Sequence, residues 1–478
     1  INKVSDDSTI IKKCGSTTTV GSGSGNTVVV DGSTVTLGRC GGTVALASGA
    51  SQTGFGRTGT VDWQTSIKTT GFTAVSGEGY FCNTTSGSFT VTLPASPSVG
   101  DIVAVKDYAA TFGSDKLTLG RNGSNIGGVA DNLDLTTDQQ SITLVYADAT
   151  KGWLAVNDST TSAIPIKYVA ATGGTTITCG NFKTHIFTGP GTFCVSCGGN
   201  SVGSNTVDYM VIAGGSGGGK ATSGGGGAGG FRLAVTTTPQ SNPLNGSALP
   251  VSVQGYPIAV GAAGSGGSPG CSSADITKGG VSTFSTITSA AGGAGGGPAG
   301  LTGGSGAGGE AGASGHAGNT PPVSPPQGNN GGAGRPQLGA GSGGAAGGGG
   351  GGAGAVGVAS TPGPGNAGGT GGAGSYLPDA FIGPTAPSYG EPGPVGSTRY
   401  FAGGGGGGSY GAGTTVPASV GGVGGGGNGS GSPGPSATNA TANTGGGGGG
   451  GFHPGGLNGA GSNGGSGIVM IRYKFQGS

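Results

Sequence analysis

Val207-Asp208-Tyr209-Met210-Val211-Ile212 and Gly467-Ile468-Val469-Met470-Ile471-Arg472-Tyr473 bracket a tract built largely of glycine. Both segments read as strands, because β-branched and aromatic residues dominate and no helical spacing appears. Between them stand runs such as Gly224–Gly227, Gly347–Gly352, Gly403–Gly408 and Gly445–Gly451. A flexible linker has no use for matched strands at its two ends. A folded domain does, so the two segments are expected to seal a unit whose interior is glycine backbone.

Outward from that tract, glycine divides the 478-residue chain: 30 of the 124 fall in residues 1–200 and 94 in residues 201–478. Only 8% of residues are charged and 6% aromatic, which excludes a conventional side-chain core through the tract. Low charge also argues against ordinary disorder, which couples low hydrophobicity to high net charge. A net charge of +1 gives no electrostatic case for nucleic acid or an anionic membrane. No run of about 18 apolar residues offers a membrane span, so no membrane insertion is expected. The seven cysteines (Cys14, Cys40, Cys82, Cys179, Cys194, Cys197 and Cys271) are too sparse for a disulfide-stapled secreted scaffold. They read as reduced thiols of a protein folded in a cytoplasm. The chain opens at Ile1 without Met or a signal segment, which reads as a processed or truncated start with an attachment region upstream.

The fold class is all-β, in four regions. Residues 1–55 alternate β-branched with small or polar residues, as in Thr27-Val28-Val29-Val30-Asp31-Gly32, and suggest a β-helix-like or trimeric fibre shaft. Residues 56–160 carry recurring apolar strands with turn residues between them, the pattern of an antiparallel β-sandwich anchored on Trp63 and Trp153. Residues 161–206 form a β bridging segment around Thr184-His185-Ile186-Phe187-Thr188-Gly189-Pro190-Gly191-Thr192-Phe193. Residues 207–478 are the glycine-rich domain. Its strand candidates at 229–235, 256–261 and 281–285 would join the two sealing strands in a small β base.

Glycine tracts can fold as three-residue-per-turn extended helices of the polyproline II type, which make no internal hydrogen bonds. Their amides and carbonyls point sideways, so neighbouring helices can bond one another if every facing position is glycine. Weak Cα–H···O contacts add to such a polyglycine II bundle. Ordering glycine is costly in backbone entropy. Many satisfied backbone bonds, each worth roughly 0.5–1.5 kcal/mol net, must offset that cost. Collagen is excluded because Gly447-Gly448-Gly449 breaks any Gly-X-Y frame. A silk-like or ice-binding protein would show regular Gly-X-X spacing and a flat Thr or Ala array, and neither is found.

Three blocks resemble the glycine-rich domain of tailed-phage virion fibre proteins: residues 184–193, then Val207 to Gly215, then Gly226-Gly227-Ala228-Gly229-Gly230-Phe231-Arg232. The closing residues 464–473 match that family's usual end. Gly54-Phe55-Gly56-Arg57-Thr58-Gly59-Thr60-Val61-Asp62-Trp63 and Gly77-Glu78-Gly79-Tyr80-Phe81 look like β modules of marine phage fibres, cyanophages among them. The resemblance covers most of the chain. It implies a non-enzymatic homotrimeric tail fibre or related virion appendage, made in the host cytoplasm and joined to other tail proteins through its N-terminal side. Its implied role is adhesion to a host cell-surface glycan or outer-membrane protein. The alternative is a purely structural decoration or connector. Two departures are the cysteine cluster near residue 190 and the missing virion-anchoring region.

An adhesive tip has a sequence correlate. Aromatics interrupt the last glycine runs at Tyr376, Phe381, Tyr389, Tyr400, Phe401, Tyr410, Phe452 and His453, with Tyr400 and Tyr410 foremost. Tyr gives large contact area at low entropic cost, and loops on rigid scaffolds carry binding residues. The competing role for each ring is to cap the ends of the glycine bundle. Cys179, His185, Cys194 and Cys197 lie within nineteen residues and have the composition of a Cys₃His zinc site. An extended strand, however, puts the two thiols of a Cys-x-x-Cys on opposite faces. Isolated buried thiols are the simpler account, and no cofactor is expected. Gly214-Gly215-Ser216-Gly217-Gly218-Gly219-Lys220 nearly spells a phosphate-binding loop, but Ala221 stands where a hydroxyl should meet Mg²⁺. The acids after residue 270 (Asp275, Glu310, Asp379 and Glu391) are scattered singly and make no glycosidase pair.

Overall fold

By its internal contacts the computed structural model divides into residues 1–60 and 61–478. The structure describes residues 61–157, 165–236, 242–269, 275–296, 301–336, 344–361, 367–383, 388–394, 398–410, 415–431, 436–452 and 459–477. The expected shaft, 1–55, lies outside the described residues.

Nine strands form two facing sheets. One runs β1 (Asp62–Trp63), β3 (Glu78–Cys82), β5 (Ile102–Asp107), β8 (Ser141–Asp148) and β9 (Gly152–Ala155). The other runs β2 (Phe72–Thr73), β4 (Phe89–Thr92), β6 (Leu117–Gly120) and β7 (Leu133–Leu135). The expected all-β sandwich is there, but its pairing is mixed rather than antiparallel throughout. β1–β3, β3–β5, β2–β4 and β4–β6 are parallel. β5–β8, β8–β9 and β6–β7 are antiparallel. The first six strands alternate between the sheets, so each sheet receives every second strand running the same way. Apolar alternation looks alike for both directions, which is why the sequence does not separate them. Tyr80, Val103, Ile142 and Leu144 pack from one sheet against Val91, Leu117, Leu119 and Leu135 of the other. Trp153 anchors this core fully buried, whereas Trp63 is 39% exposed on the opposite face of its sheet.

The glycine domain stands on a second pair of sheets. One orders β10 (Val169–Thr172), β13 (Gly191–Gly198), β17 (Gly255–Ala259), β18 (Ser282–Phe284) and β19 (Ile287–Ser289). The other orders β11 (Thr175–Cys179), β12 (Phe182–Phe187), β23 (Ile468–Lys474), β14 (Thr206–Ile212) and β15 (Phe231–Ala234), with β16 (Leu249–Pro250) on the end of β14. The two sealing segments are β14 and β23. They pair antiparallel with Met210 opposite Met470 and Ile212 opposite Ile468. Val211, Tyr209, Val469 and Ile471 face Phe193 and Phe284 of the first sheet. Met210, Ile212, Met470 and Phe231 face the other way, onto Phe381 and Phe401. Burial on both faces explains why β14 and β23 read as apolar runs broken only by the mutually paired Asp208 and Arg472 before their polar ends. A small sheet of β20 (Ser375–Pro378), β22 (Thr398–Phe401) and β21 (Glu391–Pro392) lies among the glycine runs. Beside it is the only α-helix among the described residues, Asp379–Ile382.

Candidate functional site

The platform for any site here is the glycine lattice. In Gly347–Gly352, the amides of Gly347 and Gly350 donate to the carbonyls of Gly408 and Gly405. Those of Gly348 and Gly351 donate to Gly309 and Gly306, and those of Gly349 and Gly352 to Val358 and Ala355. All six bonds measure 2.8–3.0 Å. Residues three apart thus address the same neighbour, and successive residues address three different neighbours, which is the period of polyglycine II. Gly404 and Gly407 likewise donate to Gly372 and Gly369, and Gly405 and Gly408 to Gly226 and Ser223. A Cβ on Gly350 would stand 2.0 Å from the Gly226 carbonyl oxygen, and one on Gly405 2.0 Å from that of Gly448. Larger side chains stand at outward positions such as Val356, Val358 and Val420, which are 59%, 49% and 60% exposed, whereas buried lattice positions take side chains as small as those of Ser216, Ala228 and Ser305.

The same lattice settles the near-match to a phosphate loop. Every amide from Gly214 to Gly219 already donates to a backbone carbonyl, of Gly280, Gly465, Gly227, Thr277, Ser462 and Gly224 in turn. None is left to cradle a phosphate.

Where the lattice gives way to β20 and β22, the structure brings two of the candidate rings together. Tyr376 and Tyr400 are register partners with centroids 5.7 Å apart, tilted by 46°. They line a groove of about 250 Å³ with Pro243, Leu244, Pro326 and Ala353, and no charged side chain lines it. Asn242 fastens one wall by donating from Nδ2 to Ser375 Oγ (2.9 Å) and the Tyr376 carbonyl (2.8 Å). Asn329 fastens another through the Gly352 and Ala353 carbonyls. Tyr400 is 7% exposed, and burial with Tyr376 beside it raises its hydroxyl pKa. The more accessible ring is Tyr376.

The remaining candidates scatter. Phe381 and Phe401 are fully buried among Ile186, Met210 and Phe231, so they cap the lattice and present nothing to a partner. β22 alternates, sending Phe401 inward and Tyr400 toward the groove. Tyr389 is half-buried, and its carbonyl accepts from Arg399 Nε at 2.8 Å. Tyr410 lies half-buried across Gly344, where a Cβ would fall within the ring. Phe452 borders a separate hollow of about 220 Å³ with Ser430, Asn439 and Ala460. His453 lies outside the described residues. Pro243, Leu244 and Pro326 carry no signal in the sequence, because each comes from a distant stretch that folding alone brings to Tyr376.

The four metal candidates are not assembled. Cys179 ends β11, whereas Cys194 and Cys197 lie on β13 in the facing sheet. His185 is buried with Nδ1 2.6 Å from the Gly173 carbonyl and Nε2 3.1 Å from Tyr473 Oη. A carbonyl only accepts, so Nδ1 holds the proton and Nε2 accepts from Tyr473. Burial lowers the pKa of this imidazole. Cys82, enclosed in the sandwich core, has its thiol pKa pushed up to about 12 by burial. Among the described residues no group of three His, Cys, Asp or Glu side chains is placed to hold a metal ion. No helix among them is long and apolar enough to cross a membrane.

Residues 188–474 match the model of a family described as a glycine-rich domain. No curated protein matches the chain.

Proposed function

This chain belongs to the glycine-rich domain family, and from that premise we propose that it is an adhesive virion appendage of the tail-fibre type. In this reading it assembles as a homotrimer, attaches to the tail through its N-terminal side, performs no catalysis and contacts a cell-surface glycan or outer-membrane protein. One observation carries the proposal: a lattice fixed by backbone bonds holds the uncharged Tyr376–Tyr400 groove at its margin. Preorganised aromatic surface loses little entropy on binding, and repeated display across a virion raises avidity above that of one weak contact. The resemblance of the sealing strands and closing residues to phage fibres supplies the biological setting.

The second reading, a connector that touches only other virion parts, is separated by experiment. Labelled full-length protein would be titrated onto a panel of marine bacterial cells, intact and stripped of surface polysaccharide. Adhesion predicts saturable binding to some strains. It also predicts at least a tenfold loss for Tyr376→Ala with an unchanged melting temperature. No binding to any strain favours the connector. Binding that ignores Tyr376→Ala keeps adhesion but moves it away from the groove.

A further inference from the structure

Six Asn-Gly steps stand in the chain, at Asn122, Asn245, Asn330, Asn428, Asn458 and Asn463. Such a step is able to modify itself. The glycine amide nitrogen attacks Cγ of the preceding side chain, a bond forms between them, and the Cγ–Nδ2 bond breaks. The amide proton leaves with the departing nitrogen as ammonia, and a five-membered imide remains. Water then opens the ring at either carbonyl, giving Asp or the β-linked isomer in which the main chain runs through Cβ. Nothing is oxidised or reduced, and water is the only co-reactant. Glycine favours closure because it has no Cβ to hinder the nitrogen. Closure also needs an amide free of other bonds and an Asn ψ that can turn the nitrogen onto Cγ.

Asn458 lies outside the described residues. Exposure does not separate the other five, since every one of these Asn residues is exposed. Hydrogen bonding does. Gly246, Gly331, Gly429 and Gly464 donate their amides to the carbonyls of Leu233, His316, Ser419 and Gly264 at 2.8–2.9 Å. Oδ1 of each preceding Asn accepts a further backbone amide, from Val235, Gly318, Gly421 and Gly266 in turn, at 2.7–2.9 Å. Nucleophile and side chain are thus both pinned, and turning ψ at Asn330, Asn428 or Asn463 would break main-chain bonds of the lattice. Asn122 differs. With Gly123 it forms the centre of a turn closed by the Ser124 amide on the Arg121 carbonyl at 3.0 Å, and the two have positive φ, 45° and 93°. The Gly123 amide donates to no acceptor among the described residues, and nothing lies within 4 Å of where its Cβ would stand. The Asn122 side chain makes one bond, from Nδ2 to the Leu93 carbonyl at 2.9 Å.

We infer that Asn122 is a site of spontaneous deamidation in the folded protein, and that their hydrogen bonds keep Asn245, Asn330, Asn428 and Asn463 intact. Closure at Asn122 requires the turn to give up one main-chain bond and one side-chain bond, a local opening far cheaper than opening the lattice. The product loses the Nδ2 donor and sets a carboxylate against the Leu93 carbonyl, which loosens the connection between β6 and β7 from the end of β4. This inference does not depend on the adhesive reading.

Mass spectrometry of the full chain, held for weeks in mildly alkaline buffer and then digested, tests it. Trypsin releases Asn122 at the head of a peptide that ends at Lys151, and electron-transfer fragmentation separates Asp from its β-linked isomer. The expected result is conversion at Asn122 at least about tenfold faster than at Asn245, Asn330, Asn428 or Asn463. In urea the five steps should react within about threefold of one another, because unfolding removes the bonds that distinguish them. A lead below tenfold in the folded protein overturns the inference. So does a lead of Asn122 that survives in urea, which would place the cause in its neighbours along the chain and not in the fold.

Discussion

Glycine acts here less as a flexible residue than as the only one thin enough for its place. Gly350 shows the limit, because the Gly226 carbonyl oxygen and carbon would stand 2.0 and 2.6 Å from a new Cβ. Both atoms belong to backbone that is itself bonded into the lattice. Gly350→Ala should therefore cost at least about 3 kcal/mol, the upper range for overpacking. Gly189→Ala, with nothing within 4 Å of its Cβ, should stay within about 0.5 kcal/mol. Urea unfolding of the two variants compares them directly, and equal losses would disprove the steric account. His185 makes a second test. Burial lowers its folded pKa, so the unfolded chain binds the proton more readily and stability falls as pH drops below about 6.5. His316, also depressed by burial, adds in the same sense. The melting temperature should decline between pH 7.5 and 5.5, and His185→Gln should shrink that decline while keeping a donor for Gly173. An unchanged decline in the variant would remove His185 as the cause. The glycine runs announced the lattice in the sequence. Which ring would turn into the core and which toward the groove was not legible, because Tyr400 and Phe401 are adjacent, both are buried, and only the placement of β22 on β20 decides that Phe401 turns inward.

At the scale of elements, β14 and β23 hold the domain shut, and one ion pair fixes their register. Asp208 and Arg472 are directly opposed, and Arg472 Nη2 donates to Asp208 Oδ2 at 2.8 Å. Asp208 Oδ1 accepts from the amide and hydroxyl of Thr236. The guanidinium also lies 4.6 Å from the ring centroids of both Phe182 and Phe381. Breaking a buried pair strands the surviving charge, so Asp208→Ala should lose about 3–5 kcal/mol in urea unfolding. Arg472→Met made with it should restore much of that loss, since a well-packed apolar replacement removes the stranded charge. A double variant no more stable than the single one would contradict this. The existence of both strands was plain from their composition, and so were the strands of the sandwich. Strand direction was not, because β1, β3 and β5 stack through connections that pass by way of the other sheet, and alternation carries no sign of that path. The groove was half legible. Tyr376 and Tyr400 stood out as interruptions in the glycine runs, whereas Pro243 and Pro326 come from distant stretches anchored nearby by the bonds of Asn242, Gln327 and Asn329.

Over the whole molecule, cohesion changes character along the chain. Residues 61–157 and the base are held by buried side chains. The lattice is held by main-chain bonds, since 8% charged and 6% aromatic residues leave little else. A three-residue helix makes no bonds to itself, so no lattice helix can persist without its neighbours, and the bundle must open as one unit. The Val side chains on the outermost helices keep a further glycine helix from adding on, much as charges and bulges blunt the edge of a sheet. Hydrogen exchange reads this cooperativity directly. The amides of Gly347–Gly352 and Gly447–Gly450 should exchange as slowly as those of β14 and β23. The amides of Val356, Thr370 and Val420, which donate to no acceptor among the described residues, should exchange fast. In Gly350→Ala, protection should fall throughout the lattice, including at Gly447–Gly450, while residues 102–107 of the sandwich keep theirs. Loss confined to the helices touching position 350 would mean that the glycine helices open singly, and a platform of that kind could not hold Tyr376 and Tyr400 in one arrangement.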